Sequence, residues 1–479
     1  MLRRKIYDRL VDWKDKGTRP LIIKGQRQTG KTYIIDCFAR DHYSTYIYAD
    51  LSKDGGFRSI FESDDLTIDS IIRGIQVIRG IGIINPDTTL IFLDEVQDCP
   101  RALSSLKSFA VDGRYRVIAS GSLLGVSESL LYKGGSDFAP LSPMGYVESL
   151  TLYSLDFEEF LWANSIPEEA ISRLRECIRN RVPLEPPLFY RFSELFRIFQ
   201  IVGGMPASVS AYLEDISTFA RSSKELALIL SECRSDITRY ASRVDSNKTA
   251  ECFDSIPSQL MQTNKRFHYS RIKDNELDSR KKRMAADMYM DNLLWIKNAG
   301  YGNFCYSLRQ ISSPLMGQIK RDVFKVYLSD TGMLVHMLGE KAVAAVYTSD
   351  TRYNMGAVAE NSVAECLMKC GYQPAYYLNN NGKGRMEIDF VLELFDGLVA
   401  IEVKSGKDRA APSIGKVADY FDIRLRVMFE NGNINETADG ILHLPMFASA
   451  FIDVLDERPS FMRRRPHSIL IDGPVPSVR

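Results

Sequence analysis

Gly25-Gln26-Arg27-Gln28-Thr29-Gly30-Lys31-Thr32 follows the apolar run Leu21-Ile22-Ile23 and leads into a helical pattern. The spacing G-x-x-x-x-G-K-T decides the fold of the first third of the chain. Glycines at these positions let backbone N–H groups close around phosphate oxygens with no Cβ in the way. Lys31 sets a positive charge on the β- and γ-phosphates, and the Thr32 hydroxyl is a ligand for Mg²⁺. The helix that starts there points its positive end at the same anion. The stretch Gly25 to Tyr33 is therefore the candidate contact surface for ATP.

Working outward, Thr89 to Leu93 is a wholly apolar strand that ends in Asp94-Glu95. A carboxylate there reaches the water shell of Mg²⁺, which makes Thr32 and Asp94 the candidate metal residues. The next carboxylate, Glu95, can orient or deprotonate the attacking water. Arg116 to Ala119 forms a further strand ending in Ser120-Gly121-Ser122, where Ser120 is placed to sense the γ-phosphate. With Leu21-Ile23 and Thr45-Tyr48, these runs alternate with helical patterns, as in a parallel α/β sheet. Leu2, Ile6, Leu10 and Trp13 line one side of a helix ahead of it. No residue can be assigned as an arginine finger; Arg27, inside the loop, can instead pin it by a salt bridge.

The chain has 479 residues, enough for about three domains of roughly 150 residues. Its 45% hydrophobic and 25% charged residues are those of a globular protein. Lys+Arg and Asp+Glu both number 61, so attraction to DNA or membrane must come from local patches. No run is long and apolar enough for a signal peptide or a transmembrane helix. The 8 Cys and 5 His are scattered, which points to reduced thiols, a cytoplasmic setting and no His-rich metal centre.

The strings around the loop resemble AAA-superfamily ATPases that carry a C-terminal domain of unknown function of the 4143 type. The matching residues are Arg19-Pro20-Leu21-Ile22 with the loop, Leu93-Asp94-Glu95-Val96-Gln97 and Ala119-Ser120-Gly121-Ser122-Leu123-Leu124. Further along come Leu152-Tyr153-x-Leu155-x-Phe157-Glu158-Glu159-Phe160 and Gly203-Gly204-Met205-Pro206. The resemblance implies an ATPase architecture rather than a pathway.

Beyond the ATPase domain (1–150), residues 151–245 read as a helical lid or linker. Residues 246–340 carry helices at Thr249–Met261 and Arg280–Lys297, then strands at Phe304–Arg309 and Phe324–Ser329, an order like that of a winged helix. Residues 264–283 hold eight basic and three acidic side chains, with Phe267, His268 and Tyr269 among them. Such a segment suits phosphate backbones, so DNA is a candidate partner. A homo-oligomer or a protein partner is the other possibility. A tail, 456–479, is rich in proline and is expected to be loosely ordered.

The unit at 350–455 carries its own chemistry. Glu387 and Asp389 share one face of a strand, and Glu402 and Lys404 share one face of the next. A turn at Asp396-Gly397 joins the two. Asp389 and Glu402 can then hold Mg²⁺ beside Lys404. Glu360 lies at the edge of a helix's apolar face, which is costly unless it is paired or metal-bound. This arrangement resembles the PD-(D/E)xK nucleases of the Holliday-junction-resolvase-like branch. It implies a restriction-endonuclease-like α/β domain with Glu360, Asp389 and Glu402 on the metal and Asp389, Glu402 and Lys404 in catalysis. Two functions follow: an ATPase acting on or near DNA, or a regulatory NTPase switch whose nuclease-like domain is an inactive interaction module.

Overall fold

The computed structural model describes residues 2–63, 65–123, 125–126, 145–240, 246–269, 272, 279–350, 352–380, 385–406 and 412–458. The tail expected to be loose lies, from residue 459 on, outside them, as does Leu124. Arg3–Tyr153 builds one compact unit, and residues from Ser154 onward build nearly all of the other.

The first unit is a five-stranded sheet: β1 (Leu21–Gly25), β2 (Thr45–Asp50), β3 (Thr89–Asp94), β4 (Arg116–Ser122) and β5 (Glu148–Thr151). The order is β2-β3-β4-β1-β5, and every pair is parallel. Parallel strands need both faces covered, which is why β3 is buried along its whole length. One face packs on Ile6, Leu10 and Trp13 of helix Lys5–Lys16 and on Ile34 and Phe38 of helix Lys31–His42. The other packs on Phe57, Phe61, Ile71, Ile75 and Phe109. Because β4 lies between β1 and β3, the carboxyl end of β4 falls between the loop after β1 and Asp94.

The second unit opens with helices Phe157–Ala163, Glu168–Asn180, Pro186–Val202, Pro206–Glu214, Ala220–Tyr240, Ser246–Leu260 and Ser279–Asn298. Asp156 and Glu159 form a reciprocal capping box at the first of these, and Glu158 pairs with Arg175 at 2.8 Å, which accounts for both acids in the Phe157-Glu158-Glu159 string. Gly203 has a positive φ of 71°, and a Cβ there would clash with the carboxylate of Asp330. That carboxylate also accepts the Gly204 N–H at 2.8 Å, so the Gly-Gly turn is a seat for a buried acid.

The unit is completed by an eight-stranded sheet and the helices packed on it. The strands are β6 (Gly302–Leu308), β7 (Ile319–Leu328), β8 (Ala375–Asn379), β9 (Met386–Leu394), β10 (Gly397–Val403), β11 (Leu425–Glu430), β12 (Asn435–Glu436) and β13 (Ile441–Pro445). Their order is β12-β13-β11-β10-β9-β8-β6-β7. Here the winged-helix expectation meets a difference. The hairpin β6–β7 exists, but β6 also pairs in parallel with β8, so the hairpin is one edge of the C-terminal sheet. Phe324 to Leu328 are all buried, which a free wing facing solvent could not be. The boundary expected between 340 and 350 therefore runs through one continuous sheet.

Candidate functional site

The phosphate loop is wound by two left-handed residues, Gln28 (φ 63°) and Gly30 (φ 88°), after which helix Lys31–His42 begins. Gly25 ends β1 where a Cβ would collide with the Leu152 carbonyl, so the neighbouring chain requires this glycine as much as a phosphate would. Thr29 Oγ1 donates to the Gln26 carbonyl at 2.8 Å and braces the loop from inside. Arg4 clips it from outside, donating to the Thr29 carbonyl at 3.1 Å and to the Tyr153 carbonyl at 2.7 Å.

Lys31 is buried, and its Nζ donates to the carbonyls of Gly25 and Gln26, both at 3.0 Å. Burial pushes its ammonium down to about 8, against the opposing pull of Glu95 and Asp94. A desolvated cation whose hydrogen bonds, among the described residues, go to neutral carbonyls is poised for an anion, since each charge-assisted contact to phosphate is shorter and stronger than those it replaces.

Thr32 Oγ1 donates to Asp94 Oδ2 at 2.8 Å, and the Ser120 hydroxyl donates to Asp94 Oδ1. The Tyr48 hydroxyl reaches Asp94 Oδ2 at 3.3 Å. Thr32 and Asp94 thus bring hard oxygen donors together, the donor set that suits Mg²⁺. Ser120, expected as a sensor of the γ-phosphate, is fully buried and spends its hydroxyl on Asp94, where it sets the carboxylate's orientation. Glu95 sits in a left-handed conformation (φ 50°) just past β3, and the Gln97 amide donates to its carboxylate. A Cβ on Gly121 would collide with the Gln97 side chain, so the Ser-Gly-Ser turn makes room for the residue that holds Glu95. Tyr33 points outward and is 57% exposed.

Sequence reasoning brought together Gly25 to Thr32, Asp94, Glu95 and Ser120. It missed Arg4, Tyr48 and Gln97 as side chains of the site. Gln97 lay within the Leu93–Gln97 string, and Tyr48 lay near the end of a parallel strand, where such sites form. Arg4 had no local signal, because its partners are 25 and 149 residues away.

In the second unit, β9 closes onto β10 through the two-residue turn Phe395-Asp396, one residue earlier than the expected Asp396-Gly397, because Gly397 already pairs with Leu394. The Val403 N–H donates to Asp389 Oδ2 at 2.9 Å, and Lys404 Nζ pairs with Glu402 Oε1 at 2.9 Å. Asp389 and Glu402 are thus neighbours, as their alternation implied. The expected metal set is another matter. Among the described residues, no group of three or more His, Cys, Asp or Glu is placed to hold a metal ion. Glu360 and Glu402, which the sequence suggested as its metal partners, nevertheless lie close enough to Asp389 to raise its carboxyl. Lys325, buried on β7, stands among the acids instead: its Nζ lies 3.6 Å from Glu360, 3.6 Å from Glu387 and 3.9 Å from Asp389.

The electrostatics follow from that arrangement. Burial alone would lower the Lys325 ammonium, but Glu360, Asp389 and Glu387 together hold it well above its ordinary value. Burial would raise Glu360, yet Lys265 and Lys325 outweigh it and bring the acid down to about 2; the Tyr327 hydroxyl also donates to it at 3.0 Å. Asp389 is pushed well above the usual carboxylate range, by burial first and then by Glu360 and Glu402. Burial also raises Glu402, against Lys404.

The basic segment 264–283 is only partly described: 270–271 and 273–278 lie outside the described residues. In the described part, Lys265 turns inward onto Glu360. The Phe267 N–H donates to the Phe324 carbonyl at 2.9 Å, and the two rings stack with centroids 6.2 Å apart. This part of the segment is packed on the sheet. Among the described residues no helix is long and apolar enough to cross a membrane.

Comparison with known families agrees with the first unit's geometry. Residues 17–161 match an AAA domain. Residues 193–344 match one domain of unknown function (DUF8612), and residues 355–447 match another (DUF4143). No curated protein matches the chain. Among solved structures, it is similar to the Walker-type ATPase of Pyrococcus abyssi, at 13% identity and a TM-score of 0.40, over 71% of this chain and 96% of that one. It is also similar to a signal transduction ATPase with numerous domains and a tetratricopeptide repeat sensor, from Pyrococcus horikoshii. That match has 13% identity and a TM-score of 0.25, over 76% of this chain and 48% of the other.

Proposed function

We propose that this chain, an AAA-type ATPase fold with a DUF4143 C-terminal domain, hydrolyses ATP with Mg²⁺ and works as a regulatory switch. The observation that carries the first part is the convergence of Lys31, Thr32, Asp94, Ser120 and Glu95 at the carboxyl ends of three adjacent strands. Mg²⁺, when bound, would neutralise charge on the β- and γ-phosphate oxygens. Lys31 binds the same oxygens, and the loop's N–H groups orient them. Glu95 takes the proton of a water whose oxygen attacks the γ-phosphorus. The bond to the β–γ bridging oxygen breaks, and ADP leaves with that electron pair. Gln97 orients the Glu95 carboxylate by donating to it.

For the C-terminal domain, two observations favour the regulatory reading over a nuclease. Lys325 brings an ammonium to the acids that a divalent ion would need, and Lys265 spends its charge on Glu360 rather than facing a DNA backbone. A nuclease-like sheet with its acids neutralised internally is an interaction module. The test is ATP turnover with Mg²⁺, alone and with single-stranded, duplex or branched DNA, the DNA being examined for cutting. Phosphate should be released, and all DNA should stay intact. DNA cut by the native chain but not by Asp389→Ala or Lys404→Ala would restore the nuclease reading.

A further inference from the structure

The second unit contains a cleft of about 430 Å³ that none of the chemistry above uses. It lies where three mutually parallel strands end: Glu430 closes β11, Pro445 closes β13, and Ser405 follows β10 by two residues. The crevice outside the carboxyl ends of parallel strands is the usual ligand site of an open α/β sheet. Its volume is that of a small-molecule pocket.

The charges in this cleft are unevenly spent. Asp350 is used by Arg352, which donates its backbone N–H at 3.0 Å and its guanidinium at 2.8–3.2 Å. Those contacts draw the carboxyl down to about 2. Glu430 is buried, with His443 Nδ1 3.3 Å from Oε1. Arg197, on helix Pro186–Val202, is half-buried, and its side chain makes no hydrogen bond, ion pair or ring contact among the described residues. A partly desolvated guanidinium without an acceptor is unfavourable, and its fork matches a phosphate. The same cleft is lined by aromatic side chains: Tyr190, 68% exposed, Tyr353, partly buried, and Phe447. An exposed tyrosine ring and a partly buried one near an unspent arginine are the elements that stack a base and bind its phosphate.

We propose that this cleft is a second nucleotide site, separate from the ATP loop, that takes a nucleoside monophosphate unit with its phosphate on Arg197 and its base against Tyr190 and Tyr353. The unit can be a free nucleotide or one residue of a single strand. The site does not depend on whether the first unit hydrolyses ATP.

The test uses the full chain carrying Lys31→Ala, which removes the principal phosphate contact of the loop. Methylanthraniloyl-labelled AMP is titrated by fluorescence anisotropy, with unlabelled AMP, pentathymidylate or inorganic phosphate as competitor. The labelled AMP should bind. Adding Arg197→Ala should weaken it about tenfold or more, Arg197→Lys should weaken it less, and Tyr353→Ala should weaken it severalfold. Melting temperatures of the variants show that they remain folded. AMP as the better competitor points to a free nucleotide, and pentathymidylate as the better one points to a strand; both support the site. No binding, binding indifferent to Arg197→Ala and Arg197→Lys alike, or phosphate competing as well as AMP would overturn it.

Discussion

Replacing Glu95 with glutamine should leave ATP bound and lower turnover by about 100-fold or more, the usual worth of a positioned general base. The substitution keeps the size of the side chain and can keep the Gln97 contact. It leaves Lys31, Thr32 and Asp94 untouched, so the groups that hold the phosphates and Mg²⁺ remain. What disappears is the proton acceptor at the end of β3. Steady-state phosphate release measures the first effect, and equilibrium binding of ATP measures the second. Turnover within a few-fold of the native chain would place the water's base elsewhere.

The second large effect is expected in the second unit. Lys325→Met should destabilise the second unit by roughly 3–5 kcal/mol near pH 7, the typical loss when one partner of a buried ion cluster is removed. The thioether fills the space of the lysine stem but leaves Glu360, Glu387 and Asp389 without the central charge. The pH dependence has a definite sign. In the native chain Glu360 is depressed to about 2. Its contribution to stability is therefore present above the ordinary carboxylate range and is lost as pH falls toward 2. Without Lys325 that depression shrinks, and the acids take up protons at higher pH. The stability gap between the two proteins should then narrow on acidification from pH 7 to 5. Urea unfolding at both pH values gives the comparison. Equal stability at pH 7 would mean that Lys325 does not neutralise the cluster.

The parts of the molecule that were legible in sequence are those whose partners are close along the chain or set by strand periodicity. The loop after β1 needs its glycines and lysine within eight residues. Asp94 and Glu95 are announced by the apolar strand that they terminate. Asp389 and Glu402 could be put on adjacent strands because a short turn joins them, but the register itself was not legible: the turn is Phe395-Asp396 rather than the expected Asp396-Gly397. Lys325 could not be read in this way. It alternates with Phe324 and Val326 on a strand, and the usual inference is that a charged residue at such a position faces water. Its actual neighbours are 35 to 64 residues further on, and they become neighbours only because β6 joins the hairpin to β8. That same pairing removed the expected wing. Lys265 was misleading for a related reason: in a basic run it reads as a solvent or phosphate contact, whereas its stem is packed and its charge meets Glu360. Propensity and local charge speak for a residue's own element; tertiary pairing of distant strands decides which face is buried.

The central claim is that Lys31 waits, desolvated, for the phosphates of ATP. The most direct test is an equilibrium titration of the native chain and of Lys31→Ala with ATP and Mg²⁺, at pH 7 and pH 9. The native chain should bind at pH 7 and bind more weakly at pH 9, because ATP needs the protonated amine and the free site loses its proton near 8. Lys31→Ala should bind far more weakly at both. Equal affinity of the two proteins would contradict the claim.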